Sequence, residues 1–347
     1  AKYHKVYDGE YTFKARSYNA DGIVGDTITI KISIAKPFWK EWWFIIVLVA
    51  ALIFIVVFIV KMRERSHLRY QRELEHQLAL RTKEVVHQKE EIEEINKDIT
   101  DSINYAKRIQ TAILPEEDEF DKMFPKNFVV YKPKDIVRGD FYWARKFNNL
   151  HLIVCADCTG HGVPGAFMSM IGMMLLNEAC VLKNILDPGE ILQDIDNSLK
   201  EILRQNDDFE SNKDGMDISL CLVDVDSNKM YTAGAMRPIY VYRQGMQHII
   251  KGDRFSLGGT IVKNKIFNTR EYDLMKDDLV YMFSDGYADQ FGGPNKRKMK
   301  VLRLNELLDQ VSQLDISKQG KEIDSFFESW KGDVLQMDDV LLIGFQY

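Results

Sequence analysis

Nineteen consecutive residues, 42–60, carry neither a charge nor a strongly polar group. Wound as a helix at 1.5 Å per residue, they reach roughly 28 Å, close to the ~30 Å hydrocarbon core of a bilayer. A buried core helix has a similar composition, but Trp39, Trp42 and Trp43 stand where an interfacial aromatic belt would. A cleaved signal peptide does not fit, because the run is too long and follows about forty residues of folded-looking sequence. Residues 38–60 are therefore expected to cross a membrane. Lys61, Arg63, Arg65, Arg69 and Arg72 follow directly, whereas only Lys36 and Lys40, offset by Glu41, precede the run. Positive flanks stay in the cytoplasm, which puts the larger C-terminal part inside and residues 1–37 outside.

Composition narrows the classes further. A length of 347 residues suggests about two domains. Lysine and arginine total 46 against 52 aspartates and glutamates, a net charge of −6, whereas a nucleic-acid binder needs a dense basic face. With 46% hydrophobic and 28% charged residues, the balance is globular rather than disordered. Four cysteines (Cys155, Cys158, Cys180 and Cys221) are too few for a disulfide-stapled scaffold.

The outer segment, YTFKARSYNADGIVGDTITIKISI (11–34), alternates apolar and polar residues around an Asn-Ala-Asp-Gly turn, which predicts two strands. So short a segment cannot bury a sandwich core alone, so it is expected to close a longer external domain. With the PFWKEWWF that follows, it resembles the end of the triple-tyrosine β-sandwich domain of Bacteroidetes-type periplasmic sensors. Residues 61–113 contain no glycine or proline, and Pro115 supplies a stop, so one long helix is expected. Leu78, Val85, Ile92, Ile99, Ala106 and Ile113 recur every seven residues. The companion row, Leu74, Arg81, Gln88, Ile95, Ser102 and Ile109, is mixed. This reads as a parallel dimeric coiled coil of modest stability, the alternative being a helix packed on its own C-terminal domain.

In residues 114–347 several apolar runs are each expected to end in an aspartate beside a glycine or a second acid. FVVYKPKDIVRGDFYW presents Asp140, LHLIVCADCTGHG presents Asp157, DLVYMFSDGYAD presents Asp285, and VLQMDDVLLIGF presents Asp338 and Asp339. One such aspartate is an ordinary turn residue. Four runs of this kind suggest carboxylates gathered at one sheet edge, where mutual repulsion calls for protons or cations. Hard oxygen donors without imidazole or thiolate suit magnesium or manganese rather than zinc. Cys155 and Cys158 form a single Cys-x-x-Cys with no second pair, so core and backbone roles are expected of them.

ADCTGHGVPGAFMS (156–169), RGDFYW (138–143), FSDGYAD (283–289) and MDDV (337–340) together resemble, in order and spacing, the SpoIIE-like branch of the metal-dependent PPM serine/threonine phosphatases. DSINYAKRIQTAILP (101–115) is similar to the lead-in of its membrane-anchored members. The resemblance implies an α+β fold, the α-β-β-α sandwich of that family, over residues 114–347. It also implies two Mn2+ or Mg2+ ions held by Asp140, Asp157, the backbone carbonyl of Cys158, Asp285, Asp338 and, less directly, Asp339. Asp157 would bridge the ions, and a water between them would attack phosphorus without a phosphoenzyme. His161 would either protonate the leaving oxygen or only shape the start of the following helix. Arg138 would either grip phosphate or solvate an exposed turn. Where some members carry an acid for a third ion, this chain has Ala235 and Met236.

The helix VPGAFMSMIGMMLLNEA is expected to bury its methionines as packing, and Asp217, on a strand over 214–224, faces a direction the sequence does not fix. A sensor histidine kinase shares the membrane-plus-helix plan, but His76 and His87 lack a kinase-type box. RGDFYW resembles a cyclase motif only superficially. A receptor or scaffold with an inactive phosphatase-like domain remains the non-enzyme alternative, and retention of all four acidic motifs speaks against it. The resemblance further implies a bacterial inner-membrane protein with a periplasmic N-terminus. Its substrate would be a phosphorylated cytoplasmic protein, such as a STAS-type anti-sigma-factor antagonist.

Overall fold

The computed structural model describes residues 6–113, 117–205, 213–259, 262 and 264–347. Residues 1–5, Pro115 and the 114–116 join lie outside the described residues. Two compact units divide the chain, 1–94 and 95–347, and the boundary falls inside helix α1 (Trp42–Ile113).

In the first unit, β1 (Gly9–Tyr18) and β2 (Val24–Ile34) form an antiparallel hairpin. The expected turn is present: the Asn19 side chain accepts from the amides of Asp21 and Ile23. The helical stretch does not begin at residue 38 as the sequence suggests. Phe38–Lys40 form a separate 3-10 turn, and the extended backbone of Glu41 (ψ 138°) parts it from α1. From Trp42 the helix is long and apolar enough to cross a membrane, with none of its apolar window buried. Glycine- and proline-free, α1 continues through the heptad region. Leu78, Val85, Ile92, Ile95 and Ile99 are exposed along it. In the second unit its last turns dock: Ile103 and Ala106 are half-buried and Gln110 is buried, at helical spacing.

The second unit stacks two antiparallel sheets between helices. One sheet has the order β11 (Arg270–Asp273), β7 (Lys229–Ala235), β6 (Gly215–Asp224), β5 (Leu150–Cys158), β4 (Phe141–Phe147), with β10 (Leu257–Gly258) added to β6. The other runs β3 (Asn127–Lys132), β15 (Val340–Gln346), β12 (Leu279–Phe283), β8 (Ile239–Arg243), β9 (Met246–Ile250). A short hairpin, β13 (Phe291–Gly292) and β14 (Arg297–Lys298), stands apart. The helices are α2 (Glu117–Met123), α3 (Gly162–Asn177), α4 (Pro188–Ile202), α5 (Gly286–Asp289), α6 (Lys300–Val311) and α7 (Ile316–Lys331).

Side-chain alternation along each strand separates three cores. Leu152, Val154 and Ala156 of β5 meet α3 and α4, whereas Ile153 and Cys155 face the second sheet. On β15, Leu341, Ile343 and Phe345 point between the sheets, and Val340 and Leu342 meet α6 and α7. This is the expected helix-sheet-sheet-helix sandwich of a mixed α+β fold. One expectation for α3 fails in part. Met168 and Met173 are buried, but Met174 is 63% exposed, because an all-apolar helix against one sheet still turns one side to solvent. Cys155 and Cys158 point into different cores, which excludes a shared ion or disulfide between them.

Candidate active site

Not every acid closes its strand, as the apolar runs suggest; Asp140 precedes β4 and Asp338 and Asp339 precede β15, whereas Asp157 and Asp285 lie at or after the ends of β5 and β12. Antiparallel pairing makes the two situations equivalent. Phe141 pairs with Ala156, Leu342 with Phe283, and Asp157 with Asp217 of β6, so these acids share one end of the sandwich.

At that end the carboxylates converge on Arg237, in the β7–β8 connection. Its Nη2 lies 2.6 Å from Asp157 Oδ2, 2.7 Å from Asp285 Oδ2 and 3.3 Å from Asp217 Oδ2. Ser256 donates to the other oxygen of Asp217. Asp140 is 3% exposed, and its Oδ2 is a buried oxygen without a partner among the described residues. Burial, then the neighbouring charge of Asp157, pushes the Asp140 carboxyl well above the usual range. Burial also raises Asp157, against the opposing pull of Arg237, and raises Asp217 and Asp338. Like charges in a dry setting resist ionisation, which is the condition a bound cation relieves.

Asp339 is engaged differently. Its Oδ1 accepts from the Lys134 amide at 2.6 Å, and its Oδ2 from the amides of Gly139 at 2.6 Å and Asp140 at 3.3 Å. It thereby shapes the 134–140 loop. Tyr131 donates its hydroxyl to the Asp140 carbonyl, and Arg138 lies 4.3 Å over the Tyr131 ring. Gln110 of α1 clasps the same loop: Nε2 donates to the Arg138 carbonyl (2.7 Å) and Ser169 Oγ (2.8 Å), and Oε1 accepts from the Arg138 amide (3.2 Å). Glycines let the two acid-bearing loops touch. A Cβ on Gly165 would fall 2.3 Å from the Gly160 carbonyl oxygen and 3.0 Å from Gly139 Cα.

His161 sits at the N-cap of α3, half exposed, with Nδ1 2.7 Å from Asp135 Oδ2. The Cys158 thiol is buried beneath α3 and its titration is pushed far up by burial, which leaves only the main chain of this residue to serve the site. Sequence reasoning missed Arg237, Gln110 and Asp135. Arg237 had one available signal, a cation directly before Pro238 in the segment linking two strands of the acid-bearing sheets.

The donor set fits a hard divalent cation: carboxylate oxygens, one of them buried and orphaned. Among the described residues no three acidic, His or Cys side chains are grouped as an ion's ligands would be. Arg237 draws three of the carboxylates to itself instead.

The family model for Stage II sporulation protein E matches residues 149–347, more than half of the chain. The chain belongs to the SpoIIE family. It is also similar to the solved SiaA-PP2C domain of Pseudomonas aeruginosa, at 29% identity over 73% of this chain and 98% of that one, with a TM-score of 0.66. The PP2C phosphatase domain of SpoIIE from Bacillus subtilis, solved with a fragment of its regulatory domain, shares the fold at 16% identity. There the coverage is 64% of this chain and 63% of that one, with a TM-score of 0.51. No curated protein sequence matches the chain. The second unit is thus a SpoIIE-type PP2C serine/threonine phosphatase domain. Gln110, Arg138 and Asp140 precede the residues matched by the family model.

Proposed function

We propose that this protein is a membrane-anchored, signal-regulated phosphatase that hydrolyses phosphoserine or phosphothreonine on a cytoplasmic partner protein. The observation that carries the reading is the gathering of Asp140, Asp157, Asp217, Asp285 and Asp338 at one end of a SpoIIE-type sandwich, with Asp140 Oδ2 buried and unpartnered.

Asp140, Asp157, Asp285 and Asp338, with the carbonyl of Cys158, are the groups that would hold two Mn2+ or Mg2+ ions. Such ions, when bound, neutralise phosphoryl charge and acidify water. Asp339 keeps to a supporting role, because its two oxygens are engaged by backbone amides that place Asp140. As the phosphorus–oxygen bond to the seryl or threonyl side chain breaks, His161 gives the leaving oxygen a proton from Nε2. Asp135 holds the ring through Nδ1. Arg138 is the cation we assign to the substrate phosphate.

The uncharged start of α1 anchors the chain, with the basic residues 61–72 and the phosphatase in the cytoplasm of a bacterial inner membrane. Two chains entering from one membrane face would pair in parallel along the exposed heptad row Leu78, Val85, Ile92 and Ile99, above the docked last turns of α1, and a STAS-type phosphoprotein is the partner class that fits. Phosphate release from a phosphoserine protein, with Mn2+ or with excess chelator, tests the activity. Hydrolysis that survives chelation, or that Asp157→Ala leaves intact, would overturn it. A cysteine near residue 20 should react with a membrane-impermeant label in intact cells while one near residue 320 stays unlabelled.

A further inference from the structure

Arg237 is the cation of the acid cluster, and the phosphatase reading gives it no task. One nitrogen of its guanidinium has three carboxylate oxygens around it, from β5, β6 and the turn after β12, at 2.6, 3.3 and 2.7 Å. That is the environment a cation seeks. The direction of the side chain is set by its own backbone. Met236 sits in the left-handed region at φ 64°, its amide donates to the Asp253 carbonyl at 2.8 Å, and the Arg237 amide turns back to the Ala235 carbonyl at 2.8 Å. This tight turn, closed by Pro238, aims residue 237 into the acids. The fit is electrostatic rather than a saturated network, since the buried Nε of Arg237 has no partner among the described residues. A guanidinium cannot shed its charge to make way for another cation.

We propose that Arg237 is a resident counter-ion that, seated on Asp157, Asp285 and the neighbouring Asp217, competes with divalent metal for Asp157 and Asp285, so that metal loading requires its guanidinium to swing out. The proposal rests on the reading of these acids as a divalent-cation centre. A guanidinium left among the carboxylates would face the incoming ion at a few ångströms, and charges that close repel strongly in a partly buried setting. Arg237 therefore weakens metal binding, and it holds the acids together when metal is scarce. Residues that only bind metal would strengthen it, so the two roles have opposite signs.

The test is Mn2+ binding to the metal-stripped full chain in detergent, by calorimetry and by the electron paramagnetic resonance of free Mn2+. Arg237→Ala should bind Mn2+ at least about tenfold more tightly than the wild type. Millimolar methylguanidinium should weaken binding to that variant by refilling the vacated seat, while leaving the wild type unaffected. If circular dichroism shows that Arg237→Ala does not fold, Arg237→Gln carries the same test, since it removes the charge and keeps a polar, though shorter, side chain. Unchanged or weaker Mn2+ binding in the folded variant overturns the proposal. A wild type that binds no Mn2+ up to millimolar concentration, indistinguishable from Asp157→Ala, overturns the metal-centre reading itself and the proposal with it.

Discussion

Truncating Gln110 to alanine tests whether the end of α1 is part of the active-site architecture. The side chain is 3% exposed and makes three hydrogen bonds, to the Arg138 carbonyl, the Arg138 amide and Ser169 Oγ. Two of these partners keep alternatives after truncation: Ser169 Oγ donates to the Arg138 carbonyl at 3.1 Å and to the Ala166 carbonyl at 2.9 Å. The Arg138 amide is left without its partner. An orphaned buried amide costs about 1–3 kcal/mol, and a half-buried one such as that of Arg138 the lower part of that range. The space vacated by the buried Gln110 side chain adds to it, so Gln110→Ala should lose roughly 2–3 kcal/mol. In a unit of this size that is a fall in melting temperature of about 5–10 °C. Because Asp140 is two residues from Arg138, phosphatase turnover should fall at least about tenfold, a loss of transition-state stabilisation of ~1.4 kcal/mol or more. Gln110→Met, which keeps the length without the bonds, should resemble Gln110→Ala. Alanine at Arg108, exposed on the same turn, should stay within about 0.5 kcal/mol. Melting curves and phosphate release from the full chain in detergent supply both readouts. A Gln110→Ala protein with wild-type melting and turnover would refute the clasp.

Three further outcomes follow from the geometry. Gly165→Ala places a Cβ 2.3 Å from the Gly160 carbonyl oxygen, so the acid-bearing loops must part; overpacking should cost about 1–3 kcal/mol in melting experiments and depress turnover. Mn2+ at about a hundred times its dissociation constant should add ~2.7 kcal/mol of stability that chelator removes, and Asp157→Ala should abolish most of that shift. Burial works to raise the Asp253 carboxyl, but hydrogen bonds from Arg270 and Asn268 outweigh it and hold the group below its usual value. A depressed carboxylate stabilises the fold above its unfolded pKa and loses that contribution as pH falls through the folded one. Asp253→Asn should thus cost about 1 kcal/mol at neutral pH, and its melting curve should converge on the wild type's as the pH drops below about 4.

Strand existence was legible because the second unit writes apolar runs between acidic and glycine punctuation. Strand facing was not. Leu152, Val154 and Ala156 meet helices while Ile153 and Cys155 meet the other sheet, and both faces being buried removes the polar alternation that would tell them apart. The acids were legible as a set, but the reading that each closes its strand fails for Asp140, Asp338 and Asp339, which open theirs; antiparallel pairing still brings both cases to one edge. Asp217 shows the limit most directly: the sequence places it on a strand, and only the register opposite Asp157 gives it a neighbour.

The residues that escaped sequence reasoning share a physical cause. Gln110 occupies a helix row that reads as solvent-facing, and two of its three bonds go to main-chain atoms, which carry no signature in the sequence. Arg237 stands in a strand connection where an exposed cation is the ordinary expectation, and its meaning comes from three aspartates that lie 80, 20 and 48 positions away. Burial raises the pKa values of these acids and their mutual repulsion adds to it, so a cluster of this kind either takes up protons or is completed by charge from elsewhere in the fold. One guanidinium offsets a single charge among five carboxylates. Two divalent ions would offset more, and on the metal-centre reading proposed above that larger charge is what would let metal displace the arginine when it is supplied.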